Sequence, residues 1–322
     1  MFENKWRFVV VSAVILLLSA SLIFSAETWR LGQGGDWKAV SAEGEDKYLL
    51  AVAQIKKLVN TGQTEAVGKA LNELKKDFPE IAGPDLEAFI EAENLFCEGK
   101  FTKAVRGYDR FLAEYPESAL FEAALDREFA IAMAFLAGQK RPILKVFRIK
   151  GYAEGRKIME RISDRAGDAP IGMKAAVAVA QSLEKRGKFS EAYEEWSHIS
   201  SRWETGQVGK DALLAMARCK HAAYRGPRYD ASNLIGAKSY YEKFKLLHLE
   251  DADELDVDKI LKQIDEQLAY KQFSIGEYYQ KTGNKQSANL YYQMVVDSWP
   301  GRSAAKMARE KIKLEIEKEN DE

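Results

Sequence analysis

The stretch GEYYQKTGNKQSANLYYQMVVDSWP, residues 276–300, reads as one helix, a turn and a second helix closed by proline. Gly276, Tyr279, Ala288, Tyr292 and Pro300 stand in it at successive separations of 3, 9, 4 and 8 residues. Ala92, Leu95, Ala104, Tyr108 and Pro116 repeat those separations without change. Ala180, Leu183, Ala192 and Trp196 follow the same ladder, with Glu204 in the place of the proline. Self-similarity at a spacing of this order is the mark of a repeat array. Each position has a physical reason. Small residues such as Gly276 and Ala288 let two helices approach closely, Tyr279 and Tyr292 fill the space beside that contact, and proline ends the second helix. A further large apolar residue three places on, at Phe111, Ile199 and Val295, is expected to pack on the following repeat.

Working outward, weaker copies fill the gaps. Gly62 to Pro79 matches Gly99 to Pro116 in length, with Leu71 and Leu74 for Tyr108 and Phe111. Ala237, Tyr241 and Phe244 have the spacing of a second helix, for which Val208 to Tyr224 supplies the first and Arg225 to Asn233 an inserted loop. Between Leu120 and Ala166 lies another pair, interrupted by Gly138 to Gly151, and its second helix carries Gly155, Met159 and Ile162. The expectation is an all-α solenoid of about six helix pairs over residues 47–319. It ends in a polar capping helix from Ser303 to Lys318 and a charged tail at 320–322.

This ladder resembles the tetratricopeptide repeat, whose consensus places G-x2-Y, A-x3-F and P within 34 residues. The run from Tyr108 to Ala119, YDRFLAEYPESA, and the run from Tyr291 to Ala304, YYQMVVDSWPGRSA, are similar to the outer-membrane assembly lipoprotein BamD family. That resemblance implies a non-catalytic scaffold holding a β-barrel assembly factor or a substrate barrel. The family's lipidation cysteine has no counterpart after the hydrophobic N-terminal run. A periplasmic tetratricopeptide coordinator of cell-envelope or division machinery is the alternative, although residues 27–51 lack the sustained heptads that would accompany it.

Composition agrees with a folded helical chain. Of 322 residues 46% are hydrophobic and 30% charged, and 48 basic residues against 49 acidic leave a net charge of -1. No overall field draws nucleic acid or anionic lipid. Lys5 and Arg7 precede an uncharged run from Phe8 to Phe24, so residues 1–26 read as a signal peptide or a signal anchor. Ser25-Ala26 offers a cleavage site, but Phe24 occupies the position where a small residue is wanted, and both readings stay open. Either way, the positive-inside rule places the remainder outside the cytoplasm, at the periplasm or the periplasmic face of a membrane in a Gram-negative-type bacterium. The membrane is then touched only through the N-terminal segment, if it is uncleaved. Residues 27–46 read as a linker, and Gly32-Gln33-Gly34-Gly35 within it lacks the preceding strand that a phosphate loop requires.

Catalytic chemistry is absent from the sequence pattern. His198, His221 and His248 stand singly, and Cys97 and Cys219 have no metal or redox spacing and read as buried helical thiols, with a bridge between them as the alternative. The acidic run from Glu250 to Asp258 lacks the glycine and closing glutamate of a calcium loop. No cofactor or metal is expected, and the expected partner is a protein. One insertion is a candidate contact: Lys140, Arg141, Lys145, Phe147, Arg148 and Lys150 interleave cations with large apolar groups. Such a pattern suits an anionic interface, or a loop whose apolar residues tuck under helices while the cations stay wet.

Overall fold

A computed structural model of the chain describes residues 28–31, 37–40, 42–79, 82–143 and 147–321. The N-terminal hydrophobic segment, the glycine cluster at 32–36 and Lys145 lie outside the described residues. Fourteen α-helices are present among those described. They follow one another as α1 (Ala42–Asn60), α2 (Thr64–Asp77), α3 (Pro84–Cys97), α4 (Phe101–Glu114), α5 (Phe121–Leu136), α6 (Tyr152–Ala166), α7 (Pro170–Lys185) and α8 (Phe189–Arg202). The rest are α9 (Gly206–Ala222), α10 (Ser232–Leu247), the short α11 (Leu249–Glu254), α12 (Val257–Lys281), α13 (Lys285–Ser298) and α14 (Ser303–Asp321). Helices pair in order, α1 with α2 through α12 with α13, giving six pairs and a final helix. The fold is an all-α solenoid of tetratricopeptide type.

Two short antiparallel ribbons depart from the all-helical expectation. Strands β1 (Thr28–Leu31) and β2 (Trp37–Val40) pair inside the stretch read as a linker, and α1 begins there too. Tryptophan, leucine and valine on either side of a glycine cluster favour a hairpin over an open chain. Strands β3 (Lys140–Ile143) and β4 (Phe147–Lys150) turn the insertion of the third pair, expected as an irregular loop, into a second hairpin.

The chain forms two compact units, Met1–Arg127 and Glu128–Glu322. In the first, α3 and α4 close on small residues: a Cβ added at Gly107 would lie 2.9 Å from the Cβ of Ala92. Phe89 packs against Tyr108 and Phe111 with ring centroids 5.7 and 5.5 Å apart. Phe111 therefore packs within its own pair.

In the second unit, the space for Tyr292 depends on Gly276, where a Cβ would stand 2.6 Å from the Tyr292 ring. Tyr279 stacks on Tyr291 at 5.6 Å, and Phe273 packs on Tyr292 at 5.4 Å. The turn between the paired helices places Gly187 and Gly283 at φ +72° and +82°, a left-handed conformation that glycine adopts without Cβ strain. Val295 shares a buried cluster with Ala304, Ala305 and Ala308 of α14, as its expected packing on the next element requires.

Two expectations are corrected. Cys97 is exposed at the C-terminal end of α3, whereas Cys219 is buried; both are free thiols. And the outer face of the capping helix α14 is not wholly polar. Its alanines bury against α12 and α13, but Leu314 and Ile316 are each 54% exposed.

Candidate partner-binding surfaces

The ladder residues are consumed by packing. Ala92, Ala104, Tyr108, Ala180, Ala192, Trp196, Gly276, Ala288 and Tyr292 are buried and Tyr279 is half-buried, while Pro116 and Pro300 sit exposed in the turns. The aromatic of each clear second helix donates a hydrogen bond back to its partner helix, which satisfies the one polar group that burial would orphan. Tyr108 donates to Glu93 Oε2 at 2.6 Å, Trp196 Nε1 to Glu184 Oε2 at 3.0 Å and Tyr292 to Gln280 Oε1 at 3.1 Å. Burial, with the Glu93 carboxylate beside it, pushes the Tyr108 hydroxyl well above the usual tyrosine range.

A second set of polar contacts joins successive pairs. Glu93 receives both Nε and Nη2 of Arg127, at 2.9 and 2.5 Å, and the guanidinium lies 4.4 Å from the Phe96 ring centroid. Both charged side chains are buried. Glu184 receives Arg218, and Asp168 receives Arg202 at 3.0 Å. In all three the acid precedes the arginine by 34 residues, one repeat. Acid-to-arginine spacing at the repeat period is visible in the sequence and would have found these pairs.

Around Glu184 the first helices α7 and α9 and the long helix α12 form an open cleft of about 450 Å³. Glu184, Phe189, Arg218, His221, Tyr241 and Gln267 line it, with His221 Nε2 2.9 Å from Gln267 Oε1. Burial, reinforced by Glu184, pushes the Cys219 thiol up to about 12, so at neutral pH it is no nucleophile. Although Cys97 is exposed as a residue, partial desolvation of its thiol, with the Glu93 carboxylate nearby, raises it as well.

The second hairpin sets two of its cations, Lys140 and Lys150, on one rung. Lys140 pairs with Lys150 and Pro142 with Arg148 across the ribbon, while Arg141 pairs with Ile149 and Ile143 with Phe147. By the two-residue pleat, positions 140, 142, 148 and 150 share one face and 141, 143, 147 and 149 the other. Lys140 and Lys150 are exposed, as is Ile149 at 44%, so Ile149 does not tuck beneath a helix. Arg141 lies 3.7 Å from Glu154, and Lys150 Nζ stands 5.6 Å from the Tyr152 ring centroid.

The outward faces of the second helices differ at one end. Two and six residues after the small ladder residue lie Lys69 and Glu73, Arg106 and Arg110, Lys157 and Arg161, Glu194 and His198, and Ser239 and Lys243. In α13 the same places hold Leu290 and Met294, which are 63% and 40% exposed. Exposed leucines also cluster where α10 meets α11, at Leu246, Leu247 and Leu249. The neighbouring acids are partly committed, Asp251 to Lys210 and Asp258 to Lys245, each at 2.6 Å.

Fold and surfaces together define a tetratricopeptide-type helical repeat protein. No family model and no curated protein matches the sequence. Among solved structures the chain is similar to the apo form of RapI, with 12% identity over 83% of this chain and 99% of that one and a TM-score of 0.39. It is similar to PilW, described as a widely conserved type IV pilus biogenesis factor, at 13% identity over 81% and 97% of the two chains and a TM-score of 0.32. A third is the C-terminal part of a TPR repeat-containing protein from Cytophaga hutchinsonii, at 12% identity over 80% and 98%, with a TM-score of 0.22. These superpositions are too loose to carry a function across. Among the described residues no helix is long and apolar enough to cross a membrane.

Proposed function

We propose that the protein is a non-catalytic binding scaffold of the cell envelope, acting in outer-membrane β-barrel assembly in the manner of the BamD family. The observation that carries the scaffold reading is the fate of the ladder. Its alanines, glycines and aromatics are spent on holding helix pairs together, while the cleft between pairs, the hairpin inserted in the third pair and the α10–α11 junction present exposed arginine, lysine and leucine to a partner. The envelope assignment rests on the charged and apolar N-terminal segment, and the assembly role on the two BamD-like runs at Tyr108–Ala119 and Tyr291–Ala304.

The hairpin is assigned as one partner contact. Lysines directly opposite one another repel, and an anionic partner removes that cost. Crosslinking in living cells, followed by purification from detergent-solubilised envelope and mass spectrometry, tests the reading. A β-barrel assembly protein should be captured, and capture should fall when Lys140→Glu and Lys150→Glu are combined. Recovery of a peptidoglycan synthase instead would favour the division-coordinator role, and recovery of neither would reject both.

A further inference from the structure

Within the second unit, successive second helices touch through a fixed pair of positions. The residue one place after the small ladder residue reaches the residue three places after the small residue of the next second helix. Arg156 Nη2 of α6 donates to Glu195 Oε1 of α8 at 2.6 Å, and the Tyr193 hydroxyl of α8 lies 2.7 Å from that of Tyr240 in α10. At the following step α11 intervenes, and Lys238 of α10 turns to Asp265 of α12 at 2.8 Å.

In α13 the reaching position is Asn289, whose side-chain oxygen is buried and has no hydrogen-bond partner among the described residues. A buried amide oxygen left unpaired is costly, and native structures rarely tolerate it without a reason. It faces a groove of about 580 Å³ between α13 and α14, lined besides by Leu290, Gln293, Ile312 and Ile316. Leu290 and Ile316 are 63% and 54% exposed, and these groove residues are uncharged. The α13 surface is also where the polar pattern of every other second helix gives way to leucine and methionine.

We infer that this groove receives an amphipathic helix from another protein, seated where the next second helix of the array would lie. Continuation of the repeat geometry specifies the occupant. Its docking face is apolar and uncharged, to cover Leu290, Ile312 and Ile316, and it carries one hydrogen-bond donor aimed at Asn289, in the position that Tyr240 takes toward Tyr193. The occupant thus completes a repeat in trans, using helix-in-groove recognition with anchors one turn apart. This reading stands on the groove itself and does not depend on the envelope assignment.

The full chain and a fluorescein-labelled, lactam-bridged peptide with the sequence of residues 232–247 test it, the bridge offsetting the marginal helicity of so short a peptide. Saturable binding by fluorescence anisotropy is expected, weakened at least about ten-fold when Leu290→Lys and Ile316→Lys are combined, the loss of about 1.4 kcal/mol of apolar contact. Removing the peptide hydroxyl, Tyr240→Phe, should weaken binding about five-fold on the wild-type protein, the effect of one hydrogen bond of about 1 kcal/mol. It should have little effect on the Asn289→Leu protein. Both substituted side chains in the lysine pair are exposed, so circular dichroism melting should be unchanged and loss of binding cannot be loss of fold. Absence of saturable binding, or binding indifferent to the lysine pair, would overturn the inference. So would sedimentation showing a dimer that the lysine pair dissolves, because the occupant would then be a second copy of this chain.

Discussion

Glu93 and Arg127 offer the sharpest test of how the first unit is held together. The two side chains are 1% and 2% exposed and joined by two hydrogen bonds, and Tyr108 donates a third to the same carboxylate. Arg127→Met strands a carboxylate and Glu93→Leu strands a guanidinium, each in a buried site. Each single change should cost about 3–5 kcal/mol, because an unpaired buried charge loses its compensation while keeping its desolvation penalty. The double variant removes both charges and leaves only the Tyr108 hydroxyl unsatisfied, at about 1–3 kcal/mol. Adding Tyr108→Phe should recover most of that loss. The cycle therefore predicts a coupling of several kcal/mol, with the double variant more stable than either single one. Because the chain has two compact units, global unfolding is a poor measure. Native-state hydrogen exchange of the amides in α3 and α4 reports the local opening free energy directly. Single variants that lose less than about 1 kcal/mol, or a double variant that loses the sum of the two, would refute the claim that this pair acts as a buried, mutually dependent unit.

Two further outcomes follow from local geometry. Gly276→Ala should cost about 1–3 kcal/mol by driving a methyl into the Tyr292 ring, seen as a lower thermal midpoint. Gly283→Ala, where nothing lies within 4 Å but φ is +82°, should cost only about 1 kcal/mol. Burial alone would raise the Asp265 carboxyl, yet hydrogen bonds from Lys238 and Arg302 outweigh it and hold the group below the usual carboxylate range. A depressed folded-state value means that stability is present above the unfolded value near 3.8 and is lost as the pH falls through the folded one. Asp265→Asn should therefore lower the melting temperature at pH 7, and the difference should shrink below about pH 4; a difference independent of pH would assign the loss to packing.

What the sequence made legible was whatever side-chain size records at fixed spacing. The alanine, glycine and aromatic ladder follows from how closely two helices can approach, so a close contact at Gly276 and at Ala92 was legible, while its partners, Tyr292 for Gly276 and Gly107 for Ala92, come from the structure. The two ribbons were not legible, because strands of four residues leave too few alternations to display a period of two. In the second, Lys140 and Lys150, which share one end rung of the ribbon, imitate a solvated loop. The exposed face of α14 was missed for a related reason. Its alanines fit a polar cap, and only packing shows that Ile316 lies outside the stripe they bury.

The arginine pairs lie between these cases and bear on function. An acid followed 34 residues later by an arginine, as in Glu93 with Arg127 and Glu184 with Arg218, is a periodic signal in charge, parallel to the ladder in size. Of its three instances, these two differ in one respect that matters. Arg127 is buried, and its charge is spent on Glu93 and Phe96, so that copy of the pair can only hold helices together. Arg218 is half exposed at the mouth of the cleft beside His221 and Gln267, and its guanidinium keeps donors free for a ligand while Glu184 fixes its direction. The same periodic device is thus structural in one unit and available for recognition in the other, and burial alone, which no spacing rule encodes, decides between the two.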